Sequence, residues 1–528
     1  MIDAYTASYL AALAPLITII AAFITPLVSS LSSKPQRFAF FFSETIFVIV
    51  SAITFFVALH VYTANDILVY MFAGFPPPLG IIYEVDSLGA LLGLLIGLVF
   101  PIVNITSYRY LESTTRHNQW YYVLYMGLEA GLLGIVYTGD LFNLFVMLEV
   151  TSIAAYGLTA YLRERGKPLN AAIKYGLLGA VGSTIYFLAV VLLYSGIGTL
   201  TMADAASNSL GLPYFSVSNG IASDTVPVLV LFAGLAVWAF LIESAIFPHH
   251  FWLPDSYTSM PPAASATMAA IAEGVGAYVI MRIMYTVVGA EYLYWIQVLL
   301  MVLGSVNIVL GGYMMATTND LKKAISYSTI LDMGYVAIGI GIGSSIALAA
   351  TLFYIIAHAI VKPLLFVTAG EIERITRTTD MDKLQGVLRA SPIIGASLVI
   401  GGLAIIGVPP LNMFFAKLAL FQAVFDAGLT PLIIVLLLGS ALAFVGFARI
   451  WYSTLAVRRR SVLEKTIRGV LPEVKAILVL FIVATIMTGL LYGPINDILV
   501  GPAVQSLVSV THRIMYVKEA YSLFKLIG

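Results

Sequence analysis

Hydrophobic positions fall in long unbroken runs along nearly the whole chain, with neither strand alternation nor the one-sided stripe of a surface helix. A helix needs about 20 apolar residues to cross a bilayer. Runs of this length predict an all-α polytopic membrane protein with about fourteen transmembrane helices. The predicted spans are 9–30, 37–62, 88–107, 119–139, 141–162, 172–197, 226–247, 261–286, 292–316, 325–343, 345–370, 391–427, 430–455 and 475–497.

Two of these spans are interrupted. Residues 240–255 read FLIESAIFPHHFWLPD, in which an apolar stretch carries Glu243 and breaks at Pro248. The twelfth span is interrupted at Gly407-Val408-Pro409-Pro410, where adjacent prolines remove backbone donors and clash with the preceding turn. Backbone groups freed at membrane depth are tolerated only against other protein or a wet cavity.

Matching interruptions in two halves of a chain indicate a transporter built from repeats. The two interrupted spans, the seventh and the twelfth, are five positions apart, and this odd offset predicts two inverted five-helix repeats with broken helices 7 and 12. Two unrelated proline kinks in a large bundle remain the alternative. The predicted division is residues 1–118 for helices 1–3, 119–287 for the first repeat (helices 4–8), 288–455 for the second repeat (helices 9–13), and 456–528 for the last span and a C-terminal amphipathic segment.

Positive charges alternate between loops. Loops after even-numbered spans carry no Lys or Arg, whereas loops after odd-numbered spans carry most of them, which is the positive-inside pattern and predicts both termini on the outer side. The tail is an exception, with Arg513, Lys518 and Lys525, and we predict an amphipathic surface or partner-contacting helix over 503–526. The loop cations are Lys34, Arg37, Arg109, Arg116, Arg163, Arg165, Lys167, Lys322, Lys323, Arg374, Arg377, Lys383, Arg389, Arg458, Arg459, Arg460, Lys465 and Arg468.

The amino-acid composition of the chain excludes several classes of function. The chain is 60% hydrophobic and 10% charged, against roughly 25% charged residues in soluble domains. Lys+Arg and Asp+Glu are equal at 27 each, so no net charge favours a nucleic-acid partner. The absence of cysteine excludes disulfides and thiolate or iron–sulfur ligation by this chain. No phosphate loop, zinc spacing or dinucleotide motif occurs, so we expect no cofactor and no bound metal.

Ionisable residues inside the predicted spans are the candidate functional residues. Each costs roughly 2.5–3.5 kcal/mol when ionised at mid-bilayer, so such residues must pair or face water. Buried pairs that fix packing are one explanation, and a relay for ions is the interpretation that we favour. His249 and His250 either join this path at its cytoplasmic mouth or are interfacial loop residues. The residues within spans are Glu129, Glu149, Glu243, Glu273, Asp332, His358, Lys362 and Lys417.

Several stretches beside these residues carry a family resemblance. They resemble the antiporter-like membrane subunits shared by respiratory complex I, Mrp-type Na+/H+ antiporters and membrane-bound energy-converting hydrogenases. The resemblance covers about 90–455 and implies fourteen helices with two inverted repeats and broken helices 7 and 12. The stretches are Gly139-Asp140-Leu141 through Glu149, FPHHFWLPDSYTSMPPAASA at 247–266, NDLKKAISYSTILDMGY at 319–335, HAIVKPLLFVTAG at 358–370 and GVPPLNMFFAK at 407–417.

The resemblance also implies roles for individual residues. Glu149 resembles the fifth-helix glutamate that modulates a lysine on helix 7. His358 and Lys362 match the relay on helix 11, and Lys417 matches the terminal residue on helix 12. Tyr354 stands where many members of the family have a further histidine.

Glu243 and Glu273 depart from the family pattern, since they occupy the positions of the usual lysines on helices 7 and 8. The usual Glu–Lys switch becomes Glu–Glu in this chain. Such a site shares a proton between carboxylates, binds a cation such as Na+, or conducts nothing.

The function implied is a proton-translocating subunit, with Na+ as the alternative ion, of a multisubunit membrane redox complex of the hydrogenase or complex I type. On its own the chain is then no enzyme, because the redox centres lie in partner subunits. The partners expected are other membrane subunits, H+ or Na+ and lipid, in the plasma membrane of a prokaryote, with the acidic outer loops and the tail as partner contacts. The alternatives are a subunit of a stand-alone Mrp-type antiporter and a structural paralogue with a non-conducting first half.

Overall fold

The computed structural model describes residues 3–112, 118–162, 167–212, 220–222, 224–387, 391–455 and 469–522. Many of the Lys and Arg residues on which the orientation prediction rests lie outside these described residues, and so does one cation of the tail. These residues are Arg116, Arg163, Arg165, Arg389, Arg458, Arg459, Arg460, Lys465, Arg468 and Lys525, and the side chain of Lys167 is also outside them.

The N-terminal region pairs two long helices with a hairpin and a third helix. Asp86 caps the third helix, because its Oδ1 accepts a hydrogen bond of 3.0 Å from the amide of Gly89. The hairpin is antiparallel and pairs Leu68 with Val85 and Met71 with Ile82. The elements are α1 (Ala4–Ser30), α2 (Pro35–Ala64), β1 (Leu68–Met71), a 3-10 turn (Phe72–Gly74), β2 (Ile82–Val85), α3 (Ser87–Asn104) and a short helix (Ser107–Glu112).

The predicted first repeat follows, and its seventh helix ends early. The apolar run extends to residue 247, but the helix ends at Glu243, and Ala245 adopts a left-handed backbone with φ of 50°. The elements are α4 (Gln119–Tyr137), α5 (Leu141–Ala160), α6 (Lys167–Ile197), a short helix (Met202–Ser209), α7 (Val226–Glu243), a 3-10 turn (His250–Trp252), a short helix (Leu253–Ser259) and α8 (Pro262–Met281), which continues as a π-helix (Arg282–Val288).

In the predicted second repeat, the twelfth span consists of two short helices, α12 and α13. The elements are a 3-10 turn (Ala290–Tyr292), α9 (Tyr294–Thr317), α10 (Leu321–Ile342), α11 (Ser345–Thr376), a 3-10 turn (Met381–Lys383), α12 (Pro392–Ile406), α13 (Asn412–Asp426) and α14 (Thr430–Leu455). The C-terminal region comprises α15 (Pro472–Leu490), a short helix (Tyr492–Ile495), a π-helix (Asn496–Val500), α16 (Gly501–Val508) and α17 (Val510–Ser522).

The chain is an all-α polytopic membrane protein. Among the described residues, 12 helices are long and apolar enough to cross a membrane, or 13 if the bent pair 492–508 and 510–522 is one span. The sequence prediction of about fourteen additionally includes α4, which carries Glu129, and the pair of short helices α12 and α13. The inverted relation of the two halves and the division into four segments stay predictions.

Three helices form the interior of the bundle. The most apolar stretches of α8, α10 and α11 are 100%, 89% and 94% buried, whereas those of α14 and α15 are 28% and 33% buried. A polar side chain on α8, α10 or α11 is therefore surrounded by protein, and a membrane interior tolerates ionisable groups at such positions.

Part of the tail and of the outer loops is buried within the chain. Arg513 of α17 is 4% exposed; its Nε donates to the carbonyl of Thr286 at 3.0 Å and its guanidinium donates to Ser209 Oγ at 2.6 Å. Its guanidinium also lies 3.5 Å from Glu291 Oε1, so this cation of the tail is paired and packed within the chain. Glu84, Asp86 and Asp204 are also buried in this chain, so these three loop acids and Arg513 point inward, and the prediction that the outer loops and the tail contact partners stays a prediction for their remaining surface.

Candidate functional site

Asp332, in the middle of α10, is the centre of a buried polar group. Its Oδ2 lies 2.8 Å from Lys362 Nζ and 3.5 Å from His358 Nδ1, and its Oδ1 accepts a hydrogen bond of 2.7 Å from Tyr354 OH. Residues 354, 358 and 362 share one face of α11, because residues four apart lie above one another on a helix. The structure thus brings three of the predicted site residues, Asp332, His358 and Lys362, into contact.

A serine completes this group. Lys362 Nζ donates to Ser328 Oγ at 2.6 Å, and Ser328 lies one turn before Asp332 on α10. Removing one partner of a buried ion pair typically costs about 3–5 kcal/mol, because it leaves an uncompensated charge. Lys362 and Asp332 therefore depend on each other, and a proton that leaves Lys362 leaves the carboxylate of Asp332 without its charged partner.

Lys417 closes the interruption between α12 and α13. The last turn of a helix has carbonyls with no partner of their own, and α12 ends at Ile406 before Gly407, whose φ is 90°. Lys417 Nζ donates to the carbonyls of Ile405 at 2.7 Å and Ile406 at 3.3 Å. A cation at a helix C-terminus is also favoured by the helix dipole.

Two stacked tyrosines connect Lys417 with Asp332. Lys417 Nζ lies 4.5 Å from the ring centroid of Tyr335 and donates to Ser440 Oγ at 3.1 Å. The rings of Tyr335 and Tyr354 stack with centroids 5.6 Å apart, and Tyr354 in turn donates to Asp332. Tyr335 OH donates to the carbonyl of Leu436 at 2.7 Å. Polar and aromatic groups thus extend from α13 to the middle of α11.

In the first half, two carboxyl groups lie near each other. Glu243 is the last residue of α7 and 8% exposed, and Glu273 of α8 is fully buried. Tyr257 OH donates to Glu273 Oε1, and Glu273 Oε2 has no hydrogen-bond partner among the described residues. Glu273 interacts electrostatically with Glu243 and with Lys362, so α8 joins the two halves. We call Glu273, Lys362, Asp332, His358, Tyr354, Tyr335 and Lys417 the central polar chain.

Neutral groups close the interruption after α7. Asn307 of α9 accepts a hydrogen bond of 2.7 Å from the amide of Phe247 and donates to the carbonyl of Ala245 at 3.2 Å. The indole of Trp252 donates to the carbonyl of Ile242 at 3.0 Å. The backbone here is satisfied without any contribution from the nearby carboxyl of Glu243.

Two predicted site residues lie apart from the central polar chain. Glu129 on α4 faces the N-terminal helices, where it accepts a hydrogen bond of 3.3 Å from Thr18 and interacts electrostatically with Glu44 of α2. Glu149 was expected to be buried but is partly exposed, because α5 turns this face outward together with Phe142 and Ile153, which are 39% and 64% exposed.

The histidine pair has no polar contact with the central polar chain. His249 packs edge-on against Trp238 and His250 stacks on Phe247, with ring centroids 5.0 Å and 5.9 Å apart. Both are half-buried. Whether they are part of the path or interfacial loop residues stays a prediction.

Several residues of the site were missed in the sequence. Ser328 and Tyr335 lie on the same face of α10 as Asp332, and helical spacing alone could have found them. Tyr257, Asn307 and Ser440 are brought in from distant segments, and no local pattern marks them.

A polar cavity of about 370 Å³ lies at the start of α10. Asp255 lies in its wall and bridges two lysines. Its Oδ2 is 3.0 Å from Lys174 Nζ and its Oδ1 is 3.0 Å from Lys323 Nζ. Burial acts to raise the pKa of Asp255, but the two lysines hold it below its usual value. Lys322, also in the cavity wall, precedes Ser328 by roughly 9 Å along α10 at about 1.5 Å per residue. Ser328 in turn contacts Lys362, so α10 places the cavity less than two helical turns from a partner of Lys362.

Fold and site together define a polytopic membrane protein with a connected set of buried titratable groups. Residues 138–443 match the family described as "NADH:quinone oxidoreductase/Mrp antiporter, TM", which is more than half of the chain. The protein belongs to this family.

Individual relatives agree with the assignment. The chain is 34% identical to an NADH-quinone oxidoreductase subunit of Desulforudis audaxviator, over 72% of this chain and 74% of the relative. It is also 34% identical to a Na(+)/H(+) antiporter subunit of Alkalihalophilus pseudofirmus, over 71% and 73%. A chain of the archaeal membrane-bound sulfane sulfur reductase superposes with a TM-score of 0.86 at 27% identity, covering 96% of this chain and 99% of that chain.

Proposed function

We propose that this protein is an ion-translocating, non-redox subunit of a multisubunit membrane complex, with H+ as the ion and Na+ as the alternative. The observation that carries the proposal is the central polar chain, in which titratable side chains and hydroxyl groups follow one another from α8 to α13. The partial exposure of Glu149 beside apolar side chains fits a neighbouring membrane subunit on this face. In this proposal both termini lie on the outer side of a prokaryotic plasma membrane.

The transport step follows from the contacts. A proton that arrives from the polar cavity reaches the Lys362–Asp332 pair, and the change in charge is felt at Glu273 on one side and Lys417 on the other. A buried pair resists holding a single uncompensated charge, so arrival of a proton at one group favours its departure from the next. The chain supplies the path, and partner subunits supply the driving reaction.

Lys362→Ala tests this proposal in the purified complex reconstituted in vesicles. We expect ion flux to fall on the order of 100-fold, the range in which a positioned proton-transfer group acts. Lys383→Ala is the matched control, since Lys383 is 70% exposed and pairs only with Asp380 among the described residues. Unchanged flux in Lys362→Ala with assembly intact contradicts the proposal.

A stand-alone cation/proton antiporter is the second candidate, because a relative from an antiporter matches this chain as well as a relative from a redox complex. Purification in mild detergent distinguishes the two. Co-purifying iron–sulfur or nickel subunits exclude the stand-alone assembly, and their absence from an intact, active complex excludes the redox assembly.

A further inference from the structure

A second buried polar group lies at the other end of α8, outside the central polar chain. Asp86, the cap of α3, accepts two hydrogen bonds of 2.6 Å from the guanidinium of Arg282. Arg282 also lies between the rings of Tyr278 and Tyr516, at 5.3 Å and 5.4 Å from their centroids. This is a strong, fully buried ion pair of fixed geometry.

Glu84 of β2 lies beside the Asp86–Arg282 ion pair but is not part of it. Its side chain is 1% exposed. Tyr516 OH faces its carboxyl group as a donor, but among the described residues neither carboxyl oxygen accepts a hydrogen bond of ordinary geometry. Gly139 makes room for it, because a Cβ at that position would lie 2.9 Å from Glu84 Cβ and 3.1 Å from Glu84 Oε2. An ionised carboxylate left unpaired in such a place is costly, whereas a protonated one is not.

His512 of α17 contacts the same ion pair from the more exposed side. Its Nε2 lies 3.5 Å from Asp86 Oδ2, has no hydrogen-bond partner among the described residues, and belongs to a side chain that is 16% exposed. We call Glu84, Asp86, Arg282 and His512 the hairpin cluster. The titratable groups that face Glu84 are Asp86 at the start of α3, Tyr278 and Arg282 on α8, and Tyr516, Glu519 and Tyr521 on α17.

We propose that Glu84 is a proton-binding site through which protons leave the first half of the chain, with His512 as the group that passes them to the outer side. The proposal rests on the proposed function, since it gives the ion path an outlet. Glu273 and Arg282 lie on the same helix, roughly 13 Å apart along its axis at about 1.5 Å per residue. The hairpin cluster lies at the end of α8 opposite to the start of α10 and its lysine-lined cavity.

The cycle conserves charge. In the starting state that we propose, Asp86 and Arg282 neutralise each other, Glu84 carries the proton to be moved, and His512 is ready to accept it. The proton passes from Glu84 to Asp86 as Arg282 moves from Asp86 to Glu84, and then from Asp86 to His512, whose Nε2 lies 3.5 Å from Asp86 Oδ2. His512 then carries the proton beside the ionised Asp86. His512 releases the proton outside, Glu84 takes another from the interior, and Arg282 returns to Asp86, so that one proton has crossed.

The first readout measures the charge state of Glu84 without flux. Burial raises the pKa of Glu84 well above its usual value, although Arg282 opposes this. The folded protein therefore holds a proton that the unfolded chain has lost, and its stability falls as pH rises from the unfolded pKa towards the folded one. We expect the apparent Tm of the complex to fall more steeply in wild type than in Glu84→Gln as pH rises above the unfolded glutamate pKa of about 4.3. Equal slopes overturn the proposal.

The second readout is outward proton flux in vesicles. Glu84→Gln and, as an independent variant, His512→Gln should each lower it on the order of 100-fold, while Asp66→Asn, a 53% exposed carboxyl near the same hairpin, leaves it unchanged. Normal flux in Glu84→Gln or His512→Gln, in preparations where Lys362→Ala lowers flux as expected, rejects the outlet and leaves the proposed function intact. If Lys362→Ala also has normal flux, the proposed function itself is contradicted, and the outlet with it.

Discussion

The interruptions after α7 and after α12 present the same backbone problem with opposite solutions. Both leave helix C-terminal carbonyls in the interior of the protein. Asn307 and Trp252, which are neutral, close the first, and the ammonium of Lys417 closes the second. Only at the second interruption, therefore, do the freed backbone carbonyls depend on a titratable side chain for their hydrogen bonds.

The side chains beside the two interruptions also differ in sign. A helix C-terminus favours a cation and disfavours an anion, by roughly 0.3–1 kcal/mol at exposed sites. Lys417 agrees with this preference and Glu243, at the end of α7, opposes it when ionised. The interruption after α12 therefore favours a charged side chain, whereas the interruption after α7 favours a neutral, protonated carboxyl.

Lys417→Met should have the strongest effect, because it removes the side-chain donor to the carbonyls of Ile405 and Ile406. We expect ion flux to fall on the order of 100-fold and the complex to lose about 3 kcal/mol of stability, the upper range for hydrogen bonds to a charged group. Lys417→Arg keeps the donors but holds its proton permanently, so stability should recover while flux stays low. Flux assays and apparent Tm measure both, with the exposed Lys475→Met as control. Full flux in Lys417→Arg would show that titration of this side chain is not used.

Asn307→Leu tests the neutral interruption. It leaves the amide of Phe247 and the carbonyl of Ala245 without partners, at about 1–3 kcal/mol for each buried group. We expect a lower apparent Tm, and a loss of flux no greater than the loss of folded complex. Replacement of the exposed amide in Gln505→Leu should change neither. A specific loss of flux in folded Asn307→Leu would mean that the first interruption also takes part in transport.

Glu243→Lys makes the first interruption resemble the second. A cation at the end of α7 suits the helix dipole and faces Glu273, so we expect a gain of about 1 kcal/mol relative to Glu243→Gln. The apparent Tm of the two variants gives the comparison. A variant less stable than Glu243→Gln would indicate that the carboxyl is needed at this position for packing.

The smallest effect concerns the cavity. Asp255→Asn removes two ion pairs that are partly exposed, and such pairs contribute at most about 1 kcal/mol each. Because the pKa of Asp255 lies below its usual value, the contribution is present above the unfolded pKa of about 3.9 and is lost as pH falls below it. The Tm of Asp255→Asn should thus be slightly below that of wild type at neutral pH and equal to it at acidic pH. The exposed control Asp382→Asn should have the wild-type Tm at every pH.

Part of this arrangement was accessible from the sequence. Helical spacing placed His358 and Lys362 on one face, and the prolines after Gly407 marked the second interruption. The exposure of Glu149 was not accessible, because a membrane helix that is apolar all round does not show which face is inside. The hydrogen bonds of Asn307 and the pairing of Asp86 with Arg282 join segments far apart in sequence, so they depend on the assembled bundle.

The most direct test of the central polar chain is proton flux through the reconstituted complex carrying Asp332→Asn together with Lys362→Met. The double change removes both charges of the buried pair, so neither partner is left uncompensated and the complex should assemble normally. We predict assembly at the wild-type level with flux lowered on the order of 100-fold. Wild-type flux through this double variant would contradict the account.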